Sequence, residues 1–135
     1  PEVWPDVFSL PPSELRRVGG FRIRRRGVGE IAFEGEVDFA SQPGLLEDLT
    51  AIVHLEMGEV VLYPGRDKPR EGTGLNRPAT VTLFQCFPPE VGQFPDAESK
   101  ARYRGRIAQM TEEKGAHFVD YDCDTGTWRF QVDHF

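Results

Sequence analysis

Cysteine is almost absent. The 135 residues hold two, Cys86 and Cys123, with no CxxC pair and no histidine at zinc-ligand spacing. That excludes a disulfide-held scaffold and argues against a structural zinc. No cofactor and no metal are expected. An excess of positive charge is also missing. Sixteen Lys and Arg stand against 22 Asp and Glu, a net charge of −6, the wrong sign for a dedicated binder of nucleic-acid phosphates. No apolar run approaches the ~18 residues of a membrane-spanning helix, so no membrane span is expected. Gly27-Val28-Gly29 lacks the third glycine and the following helix of a dinucleotide loop. The sequence has neither an initiator methionine nor a leader pattern, and Pro1 is expected to be an internal position of a longer protein.

What is abundant is turn material, with 14 Gly and 11 Pro. So much of it in a chain that is 39% apolar implies many short elements around one core. The expectation is a β-rich fold and a single domain over residues 1–135. Charge is uneven. Residues 1–30 hold six basic and four acidic side chains, and the remainder ten and eighteen. The basic part is Arg16, Arg17, Arg22, Arg24, Arg25 and Arg26, read either as a solvated face or as a docking patch for an acidic or RNA partner.

Val3, Trp4, Val7 and Phe8 are apolar anchors for an N-terminal arm. Pro11 to Val18 reads as a short helix ended by Gly19-Gly20, and Phe21 to Arg26 as a strand. Ile31, Phe33, Gly35, Val37 and Phe39 alternate with polar or small residues, so Glu30 to Phe39 is expected to be one strand with one face in the core. Leu45 to Leu49 suits a helical turn. Ala51–Leu55 and Glu59–Tyr63 suit a hairpin, with Val60-Val61-Leu62 covered on both sides. Pro64 to Pro78 has no periodicity and carries three Pro, three Gly, three Arg and one Lys. A loop of that length is usually functional or mobile. Ala79 to Phe87 is a strand with Thr80 and Thr82 outward, and Pro88 to Pro95 a second loop. Ala97 to Lys114 is the one long helix, N-capped by Asp96, ended by Gly115, and packed through Ala101, Tyr103, Ile107 and Met110. His117 to Phe135 is a terminal hairpin. Its last strand puts Trp128, Phe130, Val132 and His134 on one side. His54, His117 and His134 read from composition as structural histidines.

The run Gly27-Val28-Gly29-Glu30-Ile31-Ala32-Phe33-Glu34-Gly35-Glu36-Val37 resembles a G-x-G-x-I-x-F-x-G-x-V pattern. That pattern belongs to the autoproteolytic C-terminal domain of the GLFG-repeat nucleoporins, the ninety-eight-kilodalton class and its fungal relatives. The likeness continues, in order, at Val60-Val61-Leu62-Tyr63, Lys68-Pro69, Gly74-Leu75-Asn76-Arg77 and Val81-Thr82-Leu83. It goes on at Tyr103-Arg104-Gly105-Arg106-Ile107 and Lys114-Gly115-Ala116-His117-Phe118. It closes at Gly126-Thr127-Trp128-Arg129-Phe130 and the terminal His134-Phe135. No single piece is diagnostic, but their order and spacing over nearly the whole chain are specific.

The resemblance implies an α+β, mostly β, half-open β-sandwich-like domain with flanking helices, at the nuclear pore complex of the nuclear envelope. It implies self-cleavage after His134-Phe135 by a following Ser or Thr. The scissile carbonyl would be that of Phe135, His134 a proton acceptor, and Asn76 a candidate oxyanion donor. The mature role it implies is binding: tethering an FG-repeat region to the pore scaffold in support of mRNA export and protein transport. The partners would be a β-propeller nucleoporin of the cytoplasmic filament complex and the N-terminal segment of the sister fragment. Lys68, flanked by proline and supported by Arg66, Arg70 and Arg77, is the expected contact with the propeller. A self-cleaving peptidase as the main activity and an RNA-binding module are the alternatives.

Overall fold

The computed structural model describes residues 1–42, 44–87 and 96–135. Its strands are β1 (Glu2–Trp4), β2 (Val18–Gly19), β3 (Arg22–Arg25), β4 (Gly29–Phe33), β5 (Glu36–Val37), β6 (Val53–Glu56), β7 (Glu59–Leu62), β8 (Ala79–Leu83), β9 (His117–Asp122) and β10 (Thr127–Val132). The helices are α1 (Pro12–Leu15), α2 (Leu49–Ile52) and α3 (Ala97–Glu113). Six strands form one open sheet in the order β1-β3-β4-β8-β10-β9, and every neighbouring pair is antiparallel. Two-stranded ribbons, β2–β5 and β6–β7, supply the remaining ladders. The fold is therefore mostly β, unclosed and flanked by helices.

β4 lies between β3 and β8, and its burial alternates strictly. Ile31 and Phe33 enter the core, where Phe21 stacks on Phe33 at 5.7 Å and meets Phe39 edge-on at 4.9 Å. The expected ten-residue strand is nevertheless broken. Gly35 has φ +73, and beyond it Glu36–Val37 pair with β2 in a different ribbon. Ile31, Phe33, Val37 and Phe39 are all buried: period two predicts the face, but not the kink a left-handed glycine introduces.

The α1 helix is shorter than its pattern, because Val18 leaves it to pair with Val37. Val7 is fully buried whereas Phe8 is 59% exposed, so Phe8 anchors nothing. α2 takes Leu49–Ile52, and the first strand of the expected hairpin begins only at Val53. Val61 is exposed rather than covered, since the β6–β7 ribbon packs one face only. Thr82 points away from the main core yet is 6% exposed, because its cross-strand partner Arg129 lies over it and donates from Nε to Oγ1 at 3.1 Å. The strand expected over Ala79–Phe87 stops at Leu83, and the Pro88–Pro95 loop lies outside the described residues.

α3 starts as its cap dictates, with Asp96 Oδ1 accepting the Ser99 N–H at 2.8 Å. It buries Ile107 and Thr111, while Tyr103 and Met110 are half-buried and Ala101 is exposed. The helix packs on β9. β9 and β10 form the terminal hairpin, with a register shift between Arg129 and Phe130.

Candidate functional site

Trp128 and Phe130 of β10 are buried, in line with their alternation. The ladder ends at Val132, and the alternation ends with it. His134, expected on the apolar side, is exposed, and Phe135 turns inward instead. The Phe135 ring packs 5.9 Å from that of Phe33. Its N–H donates to Asn76 Oδ1 at 2.8 Å. The last dipeptide is thus split: the phenyl ring and amide are seated in the protein, and the imidazole faces solvent.

The Pro64–Pro78 loop supplies the seat. Tyr63 precedes it with φ 56, and its buried hydroxyl accepts the Leu75 N–H at 3.0 Å. Burial raises the Tyr63 phenol above its usual range, so the hydroxyl stays neutral. The turn closes on itself as Gly72 N–H donates to Asn76 O at 2.7 Å. Asn76 is 4% exposed, and its Nδ2 donates to Pro69 O at 2.7 Å. In this arrangement the amide nitrogen is occupied by Pro69, and the amide oxygen faces Phe135.

His134 sits over the same loop. Its Nε2 lies 3.5 Å from Glu71 Oε1, and Nδ1 lies 3.4 Å from Phe135 O. His134, Phe135 and Asn76, expected from sequence, are therefore brought together. Glu71 joins them unforeseen. An acidic residue in a long loop carries no signal of its own, and only the return of the chain end beside it reveals the contact.

The basic residues separate into two kinds. Lys68 and Arg70 are exposed, and their side chains form no ion pair among the described residues. Arg66 pairs with Asp48 at 3.4 Å. Arg77 is directed inward. Nε donates to Gly74 O at 2.7 Å, Nη1 to Glu36 O at 2.7 Å and Nη2 to Gly72 O at 3.3 Å. Desolvation lowers its pKa from the usual arginine value. Its fork is spent on backbone carbonyls, so it shapes the loop rather than presenting charge. Beside Phe135, an apolar groove of ≈ 350 Å³ is lined by Val60, Val61, Trp128, Phe130 and Val132.

An open antiparallel sheet, with Phe135 beyond its last strand seated against an asparagine-bearing loop and His134 facing solvent, defines a β-rich domain whose candidate site lies where that strand and loop meet. The family model of the nucleoporin Nup98-96 autopeptidase matches residues 5–135. The chain is 38% identical over 128 residues to the nuclear pore complex protein NUP98A of Arabidopsis thaliana, covering 92% of this chain and 12% of that protein. It superposes on the crystal structure of a mutant Chaetomium thermophilum Nup145N APD fused to Nup145C N with a TM-score of 0.82. The identity there is 30%, covering 98% of this chain and 92% of that one. It also matches a chain of the yeast heterotrimeric Nup82-Nup159-Nup116 nucleoporin complex, with a TM-score of 0.80 and 26% identity over 98% and 94% of the two chains. The chain belongs to the Nup98-96 autopeptidase family of nuclear pore proteins.

Proposed function

We propose that this domain anchors its parent protein at the pore scaffold by inserting the Lys68 loop into a β-propeller nucleoporin of the cytoplasmic filament complex. That contact would tether an FG-repeat region there in support of mRNA export and protein transport. The observation that carries this reading is a cation offered on a rigid base. Lys68 is unpaired among the described residues, while the next residue, Pro69, is held by Asn76. Docking a pre-ordered loop loses less entropy than docking a free one. Arg70 is free to add charge and Arg66 is only half committed, while Arg77 supports the loop from beneath. A structural relative is seen with Nup82 and Nup159, which supports a partner of that kind. The apolar groove beside Phe135 suits the N-terminal segment of the sister fragment, in line with the relative fused to Nup145C N. In equilibrium titration against the purified propeller, Lys68→Glu should weaken binding more than tenfold, ~1.4 kcal/mol. Unchanged affinity rejects the loop as the contact.

The gathering of His134, Phe135 and Asn76 supports a second reading, single-turnover self-cleavage in the precursor. The hydroxyl of the residue after Phe135 adds to the Phe135 carbonyl. The C–N bond breaks, the amine takes a proton, and an ester results; water then hydrolyses it to the Phe135 carboxylate and the free hydroxyl. His134 lies beside the Phe135 carbonyl, with Nδ1 3.4 Å from Phe135 O, and is the group proposed to accept the hydroxyl proton. A chain extended by Ser should give two bands on a denaturing gel, and by Ala one. A persistent single band with Ser removes the reading.

RNA binding through the N-terminal arginines is disfavoured by their pairing. Arg17 faces Glu36, Arg22 and Arg24 share Glu30, Arg25 meets Glu56, and Arg26 meets Glu2. Five of the six arginines thus face an acidic side chain, and the four carboxylates involved offset four of the six positive charges.

A further inference from the structure

The turn that carries Asn76 is held from two sides by groups outside it. From above, the Tyr63 hydroxyl takes the Leu75 N–H at 3.0 Å, and it packs so closely on Gly74 that a Cβ there would lie 2.9 Å from it. From below, one guanidinium spans two chain segments. Arg77 reaches Gly72 O and Gly74 O within the turn and Glu36 O across the kink at Gly35. A Cβ at Gly35 would make only ordinary contact, 3.6 Å from Arg77 Nη1, so the glycine serves the φ of +73 at the kink rather than clearance for the guanidinium. The kink that breaks the long β4 pattern is thus the place where Arg77 locks the turn to the sheet. At the far end of the same turn, Asn76 Oδ1 receives the Phe135 N–H at 2.8 Å.

We infer that Arg77 is a positioning residue for self-cleavage: by clipping the residue 72–76 turn to the β4–β5 link, it holds Asn76 Oδ1 as the acceptor that orients Phe135. This rests on the self-cleavage reading above. Phe135 is then fixed at two points, its N–H by Asn76 and its ring against Phe33, and together they set the direction of its carbonyl. Asn76 acts here through its oxygen on the amide of the acyl residue, with its nitrogen retained by Pro69. A planar fork suits the task, because its three nitrogens reach four carbonyls on two segments, those of Gly72 and Gly74 in the turn and of Glu34 and Glu36 either side of Gly35, which one ammonium cannot span.

Two measurements test this. In a precursor extended past Phe135 by a serine-led segment, Arg77→Ala should slow the first-order appearance of product on the order of 10²-fold, the cost of a small misplacement at a reacting centre. Arg77→Lys should fold and remain slow. Millimolar guanidinium, far below denaturing strength, should restore part of the Arg77→Ala rate and leave Asn76→Ala slow. In the chain ending at Phe135, hydrogen exchange at the Phe135 amide should be protected. It should accelerate by at least about tenfold in Asn76→Ala, Arg77→Ala and Arg77→Lys. Wild-type cleavage in both Arg77 variants, no response to guanidinium in a folded Arg77→Ala, or an unchanged Phe135 amide in the folded variants overturns the inference. If Arg77→Ala does not fold, the rate and amide exchange of Arg77→Lys decide. If the unmodified precursor is not cleaved at all, self-cleavage fails, and amide exchange alone decides whether Arg77 sets the Phe135 clamp.

Discussion

Trp128 carries its indole N–H into the core, and Thr111 of α3 receives it at 3.0 Å while donating to Ile107 O at 2.7 Å. Thr111 is 1% exposed, so no water replaces it. Thr111→Val keeps the shape and removes the acceptor, leaving a buried donor unpaired, and should cost ~1–3 kcal/mol. Thr111→Ser should cost much less of the hydrogen-bond part. The midpoint of urea unfolding reads both, and an unshifted valine variant would show the contact to be idle. Thr111 follows Ile107 by four residues, so its place on the packed helix face was available from spacing, but polarity hid it. Glu71 and the inward turn of Arg77 were hidden in a different way. Both depend on segments far apart in the chain, the first on His134 and the second on Glu36.

At the scale of elements, two carboxylates close turns and caps. The Asp96 carboxyl is held below its usual 3.8 first by the Ser99 backbone N–H, at the start of α3. Asp38 is lowered first by the Ser41 backbone N–H, with Ala40 adding to it. A carboxyl whose folded pKa is depressed contributes stability above its unfolded value, and that stability is lost as pH falls through the folded value. The melting temperature should therefore drop as the solution is taken below about pH 4. Asp96→Asn, which keeps a cap but cannot titrate, should lose less on acidification than the unmodified protein. Equal acid losses in thermal scans would show that the α3 cap carries no part of it. The α3 boundaries were legible because cap, helical spacing and terminal glycine agree within one local stretch. The break at Gly35 was not, because a glycine on the apolar face of an alternating run fits both a continuous strand and a kink.

For the molecule as a whole, one aromatic cluster ties the sheet to its surroundings. Phe21 is 0% exposed and touches Phe33 and Phe39, and Phe33 in turn packs on Phe135. Phe21→Ala should destabilise the fold by ~3–5 kcal/mol, read as a fall in the denaturation midpoint at constant slope. A loss under ~1 kcal/mol would mean that the cluster closes over the gap. The β-rich class followed from turn residues and period-two burial. The sheet order did not, since β4 pairs with β8 across more than forty intervening residues, and no local pattern names a distant neighbour.

Local patterns in the chain were enough for the class of fold, the long helix with both its ends and the family, and they singled out His134, Phe135, Asn76 and Lys68 as candidates. These rest on interactions between near neighbours and on an ordered series of short motifs. It took the folded chain to show that His134 faces out and Phe135 in, that Asn76 meets Phe135 through its oxygen, and that Arg77 braces the loop while Lys68 forms no ion pair among the described residues. Each of those outcomes depends on which distant segments share space, because a side chain with several possible partners is assigned one only when the chain has closed around it.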